Sequence, residues 1–124
     1  MFDWAWVAIG GAVGSMMRYG TTIAVQRLTR IEFPLATVAV NIVGSFIIGW
    51  IAFLVFEREF MSVQARLVVM VGILGGFTTF STFSLETLRL IQQGGWQAAA
   101  LNIGLSLAGG LFAAWAGFTL SSSL

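Results

Sequence analysis

The chain has 124 residues, 58% of them apolar and only 9% charged, against a charged fraction of ~25% in soluble domains. One membrane-embedded unit is expected, not a water-soluble one. The absence of cysteine and histidine excludes disulfides, thiol nucleophiles, zinc clusters and imidazole proton shuttles, and six arginines against five acids leave no basic patch for nucleic acid.

Charged residues divide the chain into helix-length pieces. Phe33 to Phe56 is 24 residues without a charge, Leu67 to Leu85 is 19, and Leu90 to Leu124 is 35, while about 20 apolar residues suffice to cross the hydrocarbon as a helix. Trp4 to Gln26 has the same texture with one charge, Arg18. The reading is a single domain over 1–124, an all-α membrane protein of four transmembrane helices near 4–26, 33–56, 62–92 and 95–120. The segment Met1-Phe2-Asp3-Trp4 lacks the basic start of a cleaved signal, so the first helix is expected to be retained.

In the first helix Gly10 with Gly14, and Gly11 with Ser15, are pairs of small residues at i, i+4, the spacing that lets helix backbones approach. Arg18 lies near enough to the helix end to snorkel or to line an aqueous vestibule. Pro34 stands at the tolerated place, a helix start. Trp4, Trp6 and Trp96 fall at interface depth, and Trp50 and Trp115 at depths that suggest packing. On the second helix Thr37, Asn41 and Ser45 form a polar line at i, i+4, i+8. Its purpose is either helix packing or a path.

The third helix contains Gly75-Gly76-Phe77-Thr78-Thr79-Phe80-Ser81-Thr82-Phe83-Ser84, whose paired glycines and following β-branched and aromatic residues form helix poorly. A break near 75–79 is expected, close to the midpoint of the span. Broken backbone at membrane depth persists where its freed groups are buried in protein or line a wet cavity, commonly at an ion site. In two oppositely oriented copies the breaks would meet at one depth, and the carbonyls of Gly75 and Thr78 from both would surround a small monovalent cation such as sodium. Phe80 and Phe83, at i, i+3, serve either packing or a narrow passage, in which ring edges would favour an anion and ring faces a cation. Glu86 and Arg89 are spaced to pair. On the fourth helix Ala98, Asn102, Ser106, Gly110 and Ala114 repeat the small and polar line.

Orientation is undetermined by charge. Arg58 and Arg66 fall on one side, Arg27, Arg30 and Arg89 on the other, and so near a tie leaves insertion in both orientations as open as a single topology.

Taken together, the segment Gly75 to Glu86, the run Asn41-Ile42-Val43-Gly44-Ser45-Phe46 and the run Gly10-Gly11-Ala12-Val13-Gly14-Ser15-Met16-Met17-Arg18-Tyr19 resemble the Fluc (CrcB) fluoride channels over essentially the whole chain. The resemblance implies an antiparallel, dual-topology homodimer in the bacterial inner membrane, with two pores that pass fluoride out of the cell and a structural sodium ion at the dimer interface. It implies that Phe80 and Phe83 line the fluoride path with Asn41 as amide donor, and that Gly75 and Thr78 give the sodium-binding carbonyls. Thr37, Ser81, Thr82, Ser84 and Glu86 correspond to the polar track and its exit, with Ser106 on the fourth helix, and Arg18 to a vestibule arginine. Asn102 departs from relatives that carry a tyrosine there.

The chemistry suits such a role. Fluoride is small and tightly hydrated, so a pore must replace its water with several donors without trapping the ion, and no basic group lies on the second helix or the Phe80 to Thr87 face. A proton-coupled multidrug exporter would need a carboxylate in its chamber, and no acid lies between Trp4 and Gln26. A nonconducting membrane assembly is the other alternative. An enzyme is not expected, for no nucleophile with a histidine or aspartate partner can be assembled from these residues.

Overall fold

The computed structural model describes residues 3–124, so Met1 and Phe2 of the expected uncleaved start lie outside the described residues. Every regular element among them is helical: α1 (Asp3–Thr29), α2 (Leu35–Phe56), α3 (Val63–Arg66), a π-helical segment (Leu67–Leu74), α4 (Gly75–Phe77), α5 (Phe80–Gln92) and α6 (Trp96–Ser122). Three stretches are long and apolar enough to span a membrane: Leu35–Phe56, Val63–Gln92 and Trp96–Ser122. The protein is thus a multi-pass membrane protein. α1 matches them in length at 27 residues, but its glycines, Asp3, Arg18 and Arg27 make it less apolar.

The ends of the elements follow local chemistry. Asp3 opens α1 and Arg27 lies in its last turn, each complementing the helix dipole. Arg30, at φ 51, turns the chain out of the helix direction before Pro34. The Ser62 side chain accepts from the Ala65 N–H at 3.1 Å and caps α3. Val68, Val69, Val71 and Ile73 lie in the π-helical segment, and such β-branched side chains crowd the preceding turn of an α-helix. Gly94, at φ 81, makes the turn into α6.

Two helix pairings hold the chain together, α2 against α6 and α1 against the π-helical segment and α4. Both depend on missing side chains. A Cβ on Gly10 or Gly14 would collide with the backbone carbonyls of Val68 and Ile73, and one on Gly49 or Gly117 with those of Ala114 and Phe46. The buried face of α6 runs Ala99, Asn102, Ser106, Gly110, Ala113, Gly117, Ser121, a helical stripe without one large residue. In a lipid solvent, close backbone packing of this kind replaces the hydrophobic drive available in water. Trp115, whose depth suggested packing, is instead 62% exposed and touches Phe112, with ring centroids 5.6 Å apart.

Candidate functional site

Helix stops after Phe77 and restarts at Phe80, with Thr78 at φ −85, ψ 159 and Thr79 at φ −152, ψ 124. Two extended residues rob the last turn of α4 of the N–H groups that an unbroken helix would send back to it. Three of the freed groups find new partners. Gly76 O, which would have received the Phe80 N–H, accepts from Arg18 Nε of α1 at 3.0 Å. The Thr79 N–H, which would have reached Gly75 O, donates to Asn41 Oδ1 of α2 at 2.8 Å, and Asn41 Nδ2 returns a bond to Thr79 O at 2.9 Å. The Thr82 N–H, which would have reached Thr78 O, donates to Thr79 Oγ1 at 3.2 Å. Among the described residues the carbonyls of Gly75, Phe77 and Thr78 are left without a donor. Gly75 is exposed, and a Cβ there would meet nothing closer than Met70 O at 3.9 Å.

The break opens into a cavity of about 300 Å³, lined by polar Asn41, Ser45, Thr78, Thr79 and Ser106 together with Gly75, Phe80, Phe83 and aliphatic side chains. Phe80, at the start of α5, lines it, and the helix dipole gives this end a partial positive charge. Ser106 is buried and its Oγ has no partner among the described residues. The two rings differ in setting. Phe83 is 7% exposed and Phe80 73%, with centroids 5.5 Å apart at 48°.

A second cavity, of about 470 Å³, lies where α1 ends and α2 begins, and Thr37, Thr82 and Glu86 line it with Thr22, Gln26, Glu32 and Gln93. Thr37 Oγ1 donates to Glu86 Oε1. Glu86 thus turns toward α2 instead of forming the expected pair with Arg89 on its own helix. The two cavities share a boundary of hydroxyls: Thr79 lines the first, Thr82 the second, and Thr79 Oγ1 donates to Thr82 Oγ1 at 3.2 Å.

The site residues named from the sequence are accordingly divided. Asn41, Gly75, Thr78, Phe80, Phe83 and Ser106 meet at the first cavity, and Thr37, Thr82 and Glu86 at the second. Arg18, Ser81 and Ser84 line neither; Ser84 Oγ bonds back to Phe80 O at 3.0 Å, and Ser81 Oγ lies 3.4 Å from Thr79 Oγ1. Thr79 was missed, although a threonine three residues before Thr82 at a helix restart is a capping signal. Also missed was a buried relay in which Asn102 Nδ2 donates to Thr87 Oγ1 at 2.9 Å and Thr87 donates to Phe83 O at 2.8 Å.

Comparison with known proteins gives this arrangement a lineage. The family model described as CrcB-like protein, Camphor Resistance (CrcB), matches residues 5–118. A protein of Sorangium cellulosum called fluoride-specific ion channel FluC is 40% identical over 124 residues, covering 100% of this chain and 98% of that protein. Its namesake from Agrobacterium fabrum is 44% identical over 124 residues, covering 100% and 99%. That of Magnetococcus marinus is 48% identical over 99 residues, covering 80% of each. Matched over its whole length by two of these relatives and over residues 5–118 by the family model, the chain belongs to the CrcB family.

Proposed function

We propose that this protein is a fluoride-selective channel that lets fluoride leave the cell passively, working as an antiparallel, dual-topology homodimer with two pores. The observation that carries this reading is the hydrogen-bonding line through the break. It runs from the first cavity, past Asn41 and Thr79, across the Thr79–Thr82 hydroxyl contact and into the second cavity, where Thr37 donates to Glu86. An ion with a tight water shell needs successive donors to replace that shell. The first turn of α5, the Asn41 amide and the hydroxyls of Ser106 and Thr82 form such a succession, Thr37 gives its own O–H to Glu86 at the far end, and the Phe80 and Phe83 rings flank its start. Positive ring edges suit an anion there without the fixed charge that would trap it. Ser81 and Ser84, exposed on α5, extend the path on the face that a second protomer covers, and Arg18 stands near its vestibule.

In this reading each chain crosses the membrane four times. α1 supports that by length, ~40 Å at ~1.5 Å per residue, and the third span is the broken run from α3 to α5. The name shared by the relatives, fluoride-specific ion channel, supports the choice of ion. The donor-free carbonyls of Gly75 and Thr78 fit a sodium ion at the dimer interface, because neutral oxygens without an adjacent acid suit a monovalent cation. Bound there, sodium would supply positive charge that joins the two breaks and favours anions nearby.

The test is reconstitution into liposomes under a fluoride gradient. Electrogenic fluoride efflux that greatly exceeds chloride efflux is expected. Intact dimers without it would refute the reading and favour a nonconducting membrane assembly.

A further inference from the structure

Arg18 completes a line on α1 that begins with Gly10 and Gly14, at i, i+4, i+8. Both glycines are buried against backbone carbonyls, of Val68 and of Ile73. Gly76 closes the same contact, since a Cβ on it would stand 2.8 Å from Gly11 O and 3.1 Å from the Ser15 N–H nitrogen. The backbones of α1 and α4 are thereby brought together one turn before Arg18. Its half-buried guanidinium then meets Gly76 O at 3.0 Å, the carbonyl that lost the Phe80 N–H. Thr22 Oγ1 bonds to Arg18 O at 3.0 Å on the next turn.

We propose that Arg18 is a positioning residue for the break: by capping Gly76 O it fixes the adjoining peptide planes, so that the carbonyls of Gly75 and Thr78 point together at the cation site. The inference rests on the channel reading above and extends its sodium site to a side chain that touches no ion. The peptide plane of Gly76 O adjoins that of Gly75 O at the Gly76 Cα and lies two planes before that of Thr78 O, so holding it restricts the φ and ψ rotations through which those carbonyls could turn away. Asn41 holds the far side of the turn through Thr79. Arg18 holds the near side. Arginine suits the task because its planar fork donates from a fixed position, and the Nε bond leaves the remaining donors of the group free for the vestibule.

The experiment compares the full-length protein with Arg18→Lys and Arg18→Gln in liposomes. Fluoride efflux is measured as sodium is replaced by N-methylglucamine, and the melting temperature of the purified dimer is followed over the same series. Loss of a charge-assisted hydrogen bond corresponds to about a tenfold change in an equilibrium. Arg18→Gln is expected to raise the sodium concentration for half-maximal efflux by about tenfold, and to move the sodium dependence of melting in parallel. Arg18→Lys, which keeps charge and a donor, should recover to within about threefold of the parent. An arginine that acted only by attracting anions would lower the efflux rate and leave both sodium midpoints in place. Unchanged midpoints in the folded Arg18→Gln variant, or an Arg18→Lys variant shifted as far as Arg18→Gln, overturn the proposal. A parent without efflux refutes the channel reading instead, and a parent that conducts without regard to sodium refutes the cation site.

Discussion

Asn41→Asp replaces the Asn41 amide by a carboxyl group of almost the same shape. The variant keeps the oxygen that accepts the Thr79 N–H at 2.8 Å and sets a second oxygen 2.9 Å from Thr79 O, where Nδ2 now donates. One hydrogen bond becomes a repulsion between acceptors. The stability cost is about 1–3 kcal/mol, that of leaving a part-buried group unsatisfied. The larger effect falls on the ion. A carboxylate on the wall of the 300 Å³ cavity acts on an anion passing at roughly 5 Å with about 3 kcal/mol of repulsion, at an effective dielectric constant of ~20. At about 1.4 kcal/mol per factor of ten, efflux falls by around a hundredfold. Asn41→Ala is the control, because it loses both bonds to Thr79 without adding charge. Efflux from liposomes, with dimer content measured by gel filtration, should rank the parent above Asn41→Ala and that above Asn41→Asp. Equal efflux from the two variants would show that no anion passes beside this side chain, and efflux like the parent's from both would reduce Asn41 to a packing residue.

Phe80→Ile changes a ring that is 73% exposed in the protomer, so stability should shift by less than about 0.5 kcal/mol while fluoride efflux drops severalfold; unchanged efflux would remove Phe80 from the path. Gly14→Ala and Gly20→Ala separate close packing from helix propensity. The first forces a methyl group into Ile73 O and is expected to cost about 3 kcal/mol or prevent dimer assembly, whereas Gly20 faces open space and alanine there should stabilise by about 1 kcal/mol, both read from thermal melts. Thr37→Val removes the hydroxyl that donates to Glu86, leaves the shape of α2 intact, and should slow efflux several times over; full activity would place the exit elsewhere.

Much of the architecture is legible along the chain because its causes are local. Charge-free runs of helix length determine an all-α membrane protein, and glycines at i, i+4 on α1 announce the face that packs. The poor helix formers from Gly75 onward mark the segment whose backbone needs outside partners. Which partners those are is a matter of three dimensions. Arg18 was readable as a snorkelling or vestibule charge, yet it bonds to Gly76 O, because the glycine contacts of α1 bring that carbonyl within reach. Glu86 has Arg89 one turn away on its own helix and meets Thr37 instead, since α2 lies against that side of α5. The polar line on α2 reads as one stripe, but packing sends Asn41 to the first cavity and Thr37 to the second. Composition and periodicity decide which residues leave water and which helix face is apolar or small, for these depend on neighbours a few residues away. The pairing of a freed carbonyl with a donor 58 positions distant depends on how whole helices approach one another, and only the tertiary structure decides that.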